Sequence, residues 1–245
     1  GLFSTYMHST ATACTPAVDA ATLFLEERLA PRALLCPPTS PFAFEGAKSP
    51  DIPGIPGPIG RTAELLGAGI ARIHRALAAL AGPASSIEPF TMFYQRSLYQ
   101  SMRGRLRQVF SMIQSGLEQI QLDIRDNLTL VMGSEKEIIA AYSLLLKKKI
   151  QSMKIRVHGD LHLGKFIAVN NEFVLRDFEG KTDSPMSERR LKRSPVRDVA
   201  GMINSFHWAA YYALLRQLRV QSKDLHAVEP WADVWADSMS QIFLK

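Results

Sequence analysis

Asp160 and Asp177 are the residues of this sequence whose setting most suggests chemistry. Each stands in a short polar turn beside apolar, β-type runs: Ile155-Arg156-Val157 leads into His158-Gly159-Asp160-Leu161-His162, and Phe173-Val174-Leu175 leads into Arg176-Asp177-Phe178-Glu179. Between the acids, Phe166-Ile167-Ala168-Val169, the pair Asn170-Asn171 and Phe173-Val174-Leu175 read as two strands about a tight turn. A hairpin returns the chain to where it started, so both carboxylates are expected in one pocket. A carboxylate that accepts a hydroxyl proton, with a second that holds Mg²⁺, is what phosphoryl transfer from ATP asks of a protein.

The same residues resemble a known family. His158-Gly159-Asp160-Leu161-His162-Leu163-Gly164, followed by Asp177-Phe178-Glu179, is similar to the catalytic loop and metal-binding motif of the aminoglycoside phosphotransferase and choline kinase superfamily. Within it, the run from Ser187 through Arg197-Asp198-Val199-Ala200-Gly201-Met202 resembles bacterial maltokinases, as does Tyr94-Gln95-Arg96-Ser97-Leu98-Tyr99. The resemblance implies an α+β, predominantly helical fold: a protein-kinase-like C-terminal lobe of the aminoglycoside phosphotransferase type with a small catalytic β-hairpin. It implies ATP and Mg²⁺ as cofactors and a sugar as acceptor, maltose becoming maltose 1-phosphate. Glucosamine kinases share similar motifs, so glucosamine is the alternative acceptor. Maltokinases are often fused to trehalose synthase, which makes that enzyme the implied partner.

Carried over residue by residue, the resemblance gives Asp160 the attacking hydroxyl and Asp177 the metal ion. Lys165 and His162 fall at the cofactor, and Glu179, Arg197, Asp198, Tyr94 and Gln95 at the sugar. Asp198 is also placed to brace the catalytic loop by hydrogen bonds. His158 fixes that loop rather than reacting, while for His162 a structural and a pocket-lining role stand level. Two positions depart from the pattern. Lys165 stands where the superfamily carries Asn and maltokinases Gln; an amide oxygen can ligate Mg²⁺, whereas an ammonium has no lone pair and repels the ion. Arg176 stands where maltokinases have an apolar residue. Both add positive charge beside Asp177, which favours a second reading of another class: a catalytically inactive kinase-like module that binds a sugar or a protein.

The elements that must position these residues are mostly helices. Leu65, Leu66, Ile70, Ile73, Leu77 and Leu80 recur at three- and four-residue spacing, giving a helix over Arg61–Leu80 that Gly82-Pro83 ends. A second helix is expected over Tyr94–Leu122, although Gly104 and Gly116 weaken it by about 1 kcal/mol each relative to alanine and leave a break there open. A third spans Ser134–Met153, with Ser134 as N-cap and Lys147, Lys148 and Lys149 at its carbonyl end. After a polar loop over Lys181–Arg193, Ser194-Pro195 starts a helix whose Val199, Met202, Ile203, Phe206, Ala210 and Leu214 form one stripe. A last helix carries Trp231 and Trp235. Residues 1–60 form a separate, irregular segment: a short helix over Ala20–Leu29, then prolines at 31, 37, 38, 41, 50, 53, 56 and 58 that forbid regular helix. Sixty residues without a phosphate-covering loop cannot make a kinase N-terminal lobe, so the lobe at 61–245 is expected to stand largely without one.

Bulk properties narrow the field. A chain of 245 residues with 47% hydrophobic and 21% charged content is long enough for a sizeable core. The net charge of +6 can steer anions such as nucleotides. Basic residues interleaved with aromatics are sparse, so nucleic acid is not an expected partner. No apolar run approaches about 18 residues, and the N-terminus lacks the basic and apolar regions of a signal peptide. Cys14 and Cys36 have no metal-ligand spacing around them and read as free thiols. A cytoplasmic, non-membrane enzyme is the expectation.

Overall fold

A computed structural model describes residues 12–29, 57–80, 82, 86–169, 172–178, 185–218 and 225–245. In chain order its elements are α1 (Cys14–Leu29), α2 (Pro58–Ala79), β1 (Glu88–Pro89), α3 (Met92–Gly116), α4 (Leu122–Gly133), α5 (Glu135–Lys147), β2 (Met153–Lys154), β3 (Phe166–Val169), β4 (Glu172–Leu175), α6 (Met186–Arg189), α7 (Val196–Leu218) and α8 (Leu225–Leu244). They divide into two units, residues 1–86 with 155–245, and residues 87–154. Most of the Pro-rich segment, Lys48, the Asn170-Asn171 turn and Glu179 lie outside the described residues.

In the first unit α8 packs along α7, α1 lies against both, and α2 packs on α8. The stripe read from the sequence is the buried face of α7: Met202, Phe206, Ala210 and Leu214 are all enclosed. Alanines at 17, 21, 209, 213, 232 and 236 are almost wholly buried where these helices meet. Small side chains there let the helix axes approach closely, because interaxial distance follows residue size at the contact. Phe24, Leu25, Leu66, Ile70, Trp235, Met239 and Phe243 fill the remaining space, each stabilising the fold by about 1.5–3 kcal/mol. Tyr211 on α7 donates to Asp233 Oδ1 on α8 at 3.0 Å. Burial, then that carboxylate, pushes its phenol up to about 12.

Helix α2 begins at Pro58, three residues before the expected start, because proline at the first helical position loses no bond. Helix α1 starts at Cys14 rather than Ala20, and its Ala17, Ala21 and Leu25, with Ala13 just before it, belong to the core of the first unit. Strands β3 and β4 pair antiparallel with Phe166 opposite Leu175 and Val169 opposite Glu172, the register that the Asn-Asn turn predicts.

The second unit holds α3, α4, α5 and the short β1–β2 pair. The expected Tyr94–Leu122 helix stops at Gly116, tightens into a 3-10 turn over Leu117–Gln119, and yields to α4, which the sequence did not announce. The third expected helix ends at Lys147, not Met153, and Ser134 is not its side-chain cap: its hydroxyl donates back to Leu130 O at 3.2 Å.

Candidate active site

The loop Val157–Leu163 is held by side chains turned inward, His158 among them. Val157, Leu161 and Leu163 are buried, which leaves Asp160 and His162 facing outward. Gly159 turns the chain at φ +83°, a left-handed conformation that favours glycine. Along the loop runs one face of α7, on which Asp198, Gly201 and Ser205 recur at helical spacing. Asp198 is 1% exposed. Its Oδ2 accepts the His158 N–H at 2.9 Å and meets His74 Nε2 at 3.0 Å, and its Oδ1 accepts the Gly159 N–H at 2.8 Å. Gly201 lies flat against the Leu161 carbonyl oxygen, where a Cβ would collide with it. The Ser205 hydroxyl accepts the Leu163 N–H at 3.2 Å and donates to Met202 O at 2.8 Å. Arg197 Nε donates to Gly159 O at 3.3 Å.

His158 ties this loop to the second acid. It is 2% exposed; its Nε2–H donates to Arg176 O at 2.9 Å, while its Nδ1 accepts the Asp160 N–H at 3.3 Å. The neutral Nε2–H tautomer satisfies both bonds at once. Phe178 packs edge-on to the same imidazole at 5.2 Å. The N–H of Arg176 also donates to Lys165 O at 3.0 Å, extending the β3–β4 ladder by one pair. Asp177 follows at φ +59°, a left-handed conformation that aspartate tolerates better than most residues.

The two carboxylates therefore converge, and what they converge on is an ammonium. Lys165 Nζ lies 3.1 Å from Asp177 Oδ2 and 3.5 Å from Asp160 Oδ2, and Arg176 Nε lies 3.4 Å from the same Asp177 oxygen. The residues present do not fit the Mg²⁺ expected on Asp177. Its oxygen is shared by two cations, and the space between the acids is filled by a group with no lone pair. Among the described residues no cluster of three or more His, Cys, Asp or Glu side chains could hold a metal ion.

Beside Asp160 opens a cleft of about 600 Å³, lined among others by Cys14, His162, Arg197, Asn204 and Trp208. His162 Nδ1 accepts the Gly164 N–H at 3.1 Å. Partial burial, then the positive charges of Lys165 and Arg176, hold its imidazole below the usual value against the opposing pull of Asp160. Burial raises the Cys14 thiol. Arg197 lines the cleft, whereas the Asp198 carboxylate is wholly engaged beneath the loop. Its partner His74, from α2, is part of that support.

Tyr94 and Gln95 belong to the second unit. Tyr94 meets Phe90 edge-on at 4.9 Å and carries the Lys154 ammonium over its ring at 4.7 Å. Gln95 is fully buried: its Nε2 donates to Leu145 O and Lys148 O at 2.6 and 2.9 Å, and its Oε1 accepts the Ile150 N–H at 3.0 Å. Expected at the sugar, this amide instead closes the end of α5. Cys14, Asn204 and Trp208 were missed as cleft residues. Of these, Asn204 and Trp208 sit three and seven positions beyond Gly201, the spacing that could have revealed them.

No family model matches the sequence. The fold is similar to two crystal forms of a glucosamine kinase, with TM-scores of 0.65 and 0.64 at 20% identity, over 97% of this chain and 45% and 48% of those chains. A third structure, glucosamine kinase in complex with glucosamine, ADP and inorganic phosphate, matches with a TM-score of 0.63 at 20% identity, over 97% and 49%. The chain thus spans slightly less than half the length of these proteins. Among the described residues no helix is long and apolar enough to cross a membrane. The chain has a predominantly helical α+β fold of the kinase-like kind that these sugar kinases carry.

Proposed function

We propose that the cleft beside Asp160 is the acceptor site of an ATP-dependent sugar kinase. The observation that carries this reading is the placing of Asp160: its carboxylate borders an open cleft while the backbone on either side is tied to buried groups. In the step proposed, a sugar hydroxyl attacks the γ-phosphorus of ATP, its proton passes to Asp160, and ADP leaves with the electrons of the broken P–O bond. Such transfer needs an aligned nucleophile more than a strong base, so a carboxylate suffices. Arg197, Asn204 and Trp208 would hold the sugar, the indole by stacking and the polar pair by hydrogen bonds. Maltose is the acceptor that the resemblance of Ser187–Met202 supports. Glucosamine has equal support from the solved structures. A link to trehalose synthase belongs to the maltose branch alone.

Lys165 favours a second reading, a module that binds sugar without transferring phosphate, because the acid pair is already neutralised. One experiment separates the two. Calorimetry with maltose and with glucosamine measures binding, and ADP release measures turnover, for the native chain and for Asp160→Asn. Sugar-dependent ADP release lost in Asp160→Asn, with binding retained, supports the kinase. Binding without turnover supports the module. A cleft that binds neither sugar refutes both.

A further inference from the structure

We infer that the Lys165 ammonium takes the place of a divalent cation in this site, so that the corner formed by Asp160 and Asp177 excludes Mg²⁺ and carries its own fixed positive charge. The inference concerns the charge of the corner rather than the sugar, and stands independently of the kinase reading.

Lys165 comes from the last position of the 3-10 turn Leu163–Lys165, immediately before β3. That turn is anchored by buried Leu163, and its carbonyl is bonded to the N–H of Arg176. The stem thus starts from a fixed point. Its side chain is 16% exposed, and the Nζ reaches both carboxylates at 3.1 and 3.5 Å. A cation bridging the same two oxygens would lie about 2.1 Å from each, which is the volume the ammonium occupies. Displacing it would strand a largely enclosed positive charge beside a doubly charged ion. Electrostatics point the same way. Asp160 and Asp177 supply two negative charges, and Lys165 and Arg176 supply two positive ones within 3.5 Å. Among the described residues of this corner no net negative charge is left to draw a metal ion in. A phosphate oxygen entering this corner would meet Nζ and the guanidinium directly.

The test uses Mn²⁺ alone as the probe, titrated into the full chain and followed through the spin-resonance signal of the free ion. The native chain is expected to show no saturable binding in the millimolar range. Lys165→Gln, which replaces the ammonium by an amide oxygen donor, is expected to bind Mn²⁺ on the order of ten- to a hundred-fold more tightly. The double variant Lys165→Gln/Asp177→Asn should lose that gain. Saturable Mn²⁺ binding by the native chain, abolished by Asp177→Asn, would overturn the inference, and so would a folded Lys165→Gln that gains nothing. A measurement on the native chain alone guards against a variant that fails to fold: its melting temperature should not rise with Mg²⁺ at constant ionic strength, and a rise would equally overturn the inference.

Discussion

Removing the Asp198 carboxylate should unfold the support of the site before it touches the site itself. Three groups depend on it: the N–H of His158 at 2.9 Å, the N–H of Gly159 at 2.8 Å and His74 Nε2 at 3.0 Å. In Asp198→Ala both backbone donors lose their acceptor at a place that is 1% exposed. Each orphaned donor costs about 1–3 kcal/mol, and the lost histidine bond about 1 kcal/mol. The expected destabilisation is about 3–7 kcal/mol, which lowers the melting temperature by about 6–28 °C for a chain of this size. Asp198→Asn should lie between, because its single oxygen can serve only one of the two N–H groups and its amide hydrogens face the other. His74→Ala leaves both backbone bonds in place and should cost about 1 kcal/mol. Calorimetric melting of the three variants gives the order, and hydrogen exchange at the amides of His158 and Gly159 gives the location. If Asp198→Asn melts with the native chain and those two amides exchange no faster, the carboxylate is not what holds the loop, and the account of the site fails.

Two further outcomes follow from the same bookkeeping of bonds. Gln95→Ala leaves the Ile150 N–H and the Leu145 and Lys148 carbonyls without their partner, so it should cost about 2–4 kcal/mol. Sugar affinity measured below the melting temperature should be unchanged; an affinity loss without a stability loss would restore Gln95 to the binding site. His162 should titrate below 6.5 in the folded chain, chiefly because burial disfavours its cation. Between the folded value and 6.5 the unfolded chain then binds more protons, so stability rises with pH across that window and is lost as pH falls through it. A nuclear magnetic resonance titration that places His162 at or above 6.5 would contradict this.

What could be read from the sequence was local. The hairpin was legible because β-branched runs flank a turn pair, and the α7 stripe because a helix repeats every 3.6 residues. Both signals survive without knowledge of the rest of the fold. The break after Gly116 was legible only as a weakness at that glycine: Leu117 to Gly133 keeps enough apolar residues to continue one helix, and the 3-10 turn at Leu117–Gln119 with the extended backbone at Ile120 and Gln121 separates the two. Gln95 looked like a pocket residue because its neighbours resemble a sugar kinase. Its buried bonds to residues some fifty positions away, at Leu145, Lys148 and Ile150, are tertiary facts that no pattern in the sequence encodes. Lys165 was legible as a change of charge type. That it reaches both acids at once depended on the hairpin register, which sets Lys165 beside Arg176.

Positioning and charge are separable halves of the phosphoryl transfer proposed for this site, and the chain treats them differently. The positioning half is built at a cost: a buried carboxylate at Asp198, a left-handed aspartate at 177, and a glycine at 201 pressed against the loop. Groups of that kind persist only where surrounding structure over-determines them, and they gather where a side chain must be held in place. The charge half is internal, an ammonium standing between two acids. Asp160→Asn and Lys165→Gln therefore question different things. The first removes the group that faces the cleft and leaves the charge of the corner to Lys165 and Arg176. The second leaves Asp160 in place and opens the corner to a metal ion. If the native chain proves inert towards sugar and ATP, gain of Mn²⁺ binding together with turnover in Lys165→Gln would locate the defect in charge alone, with the scaffold that aims Asp160 intact.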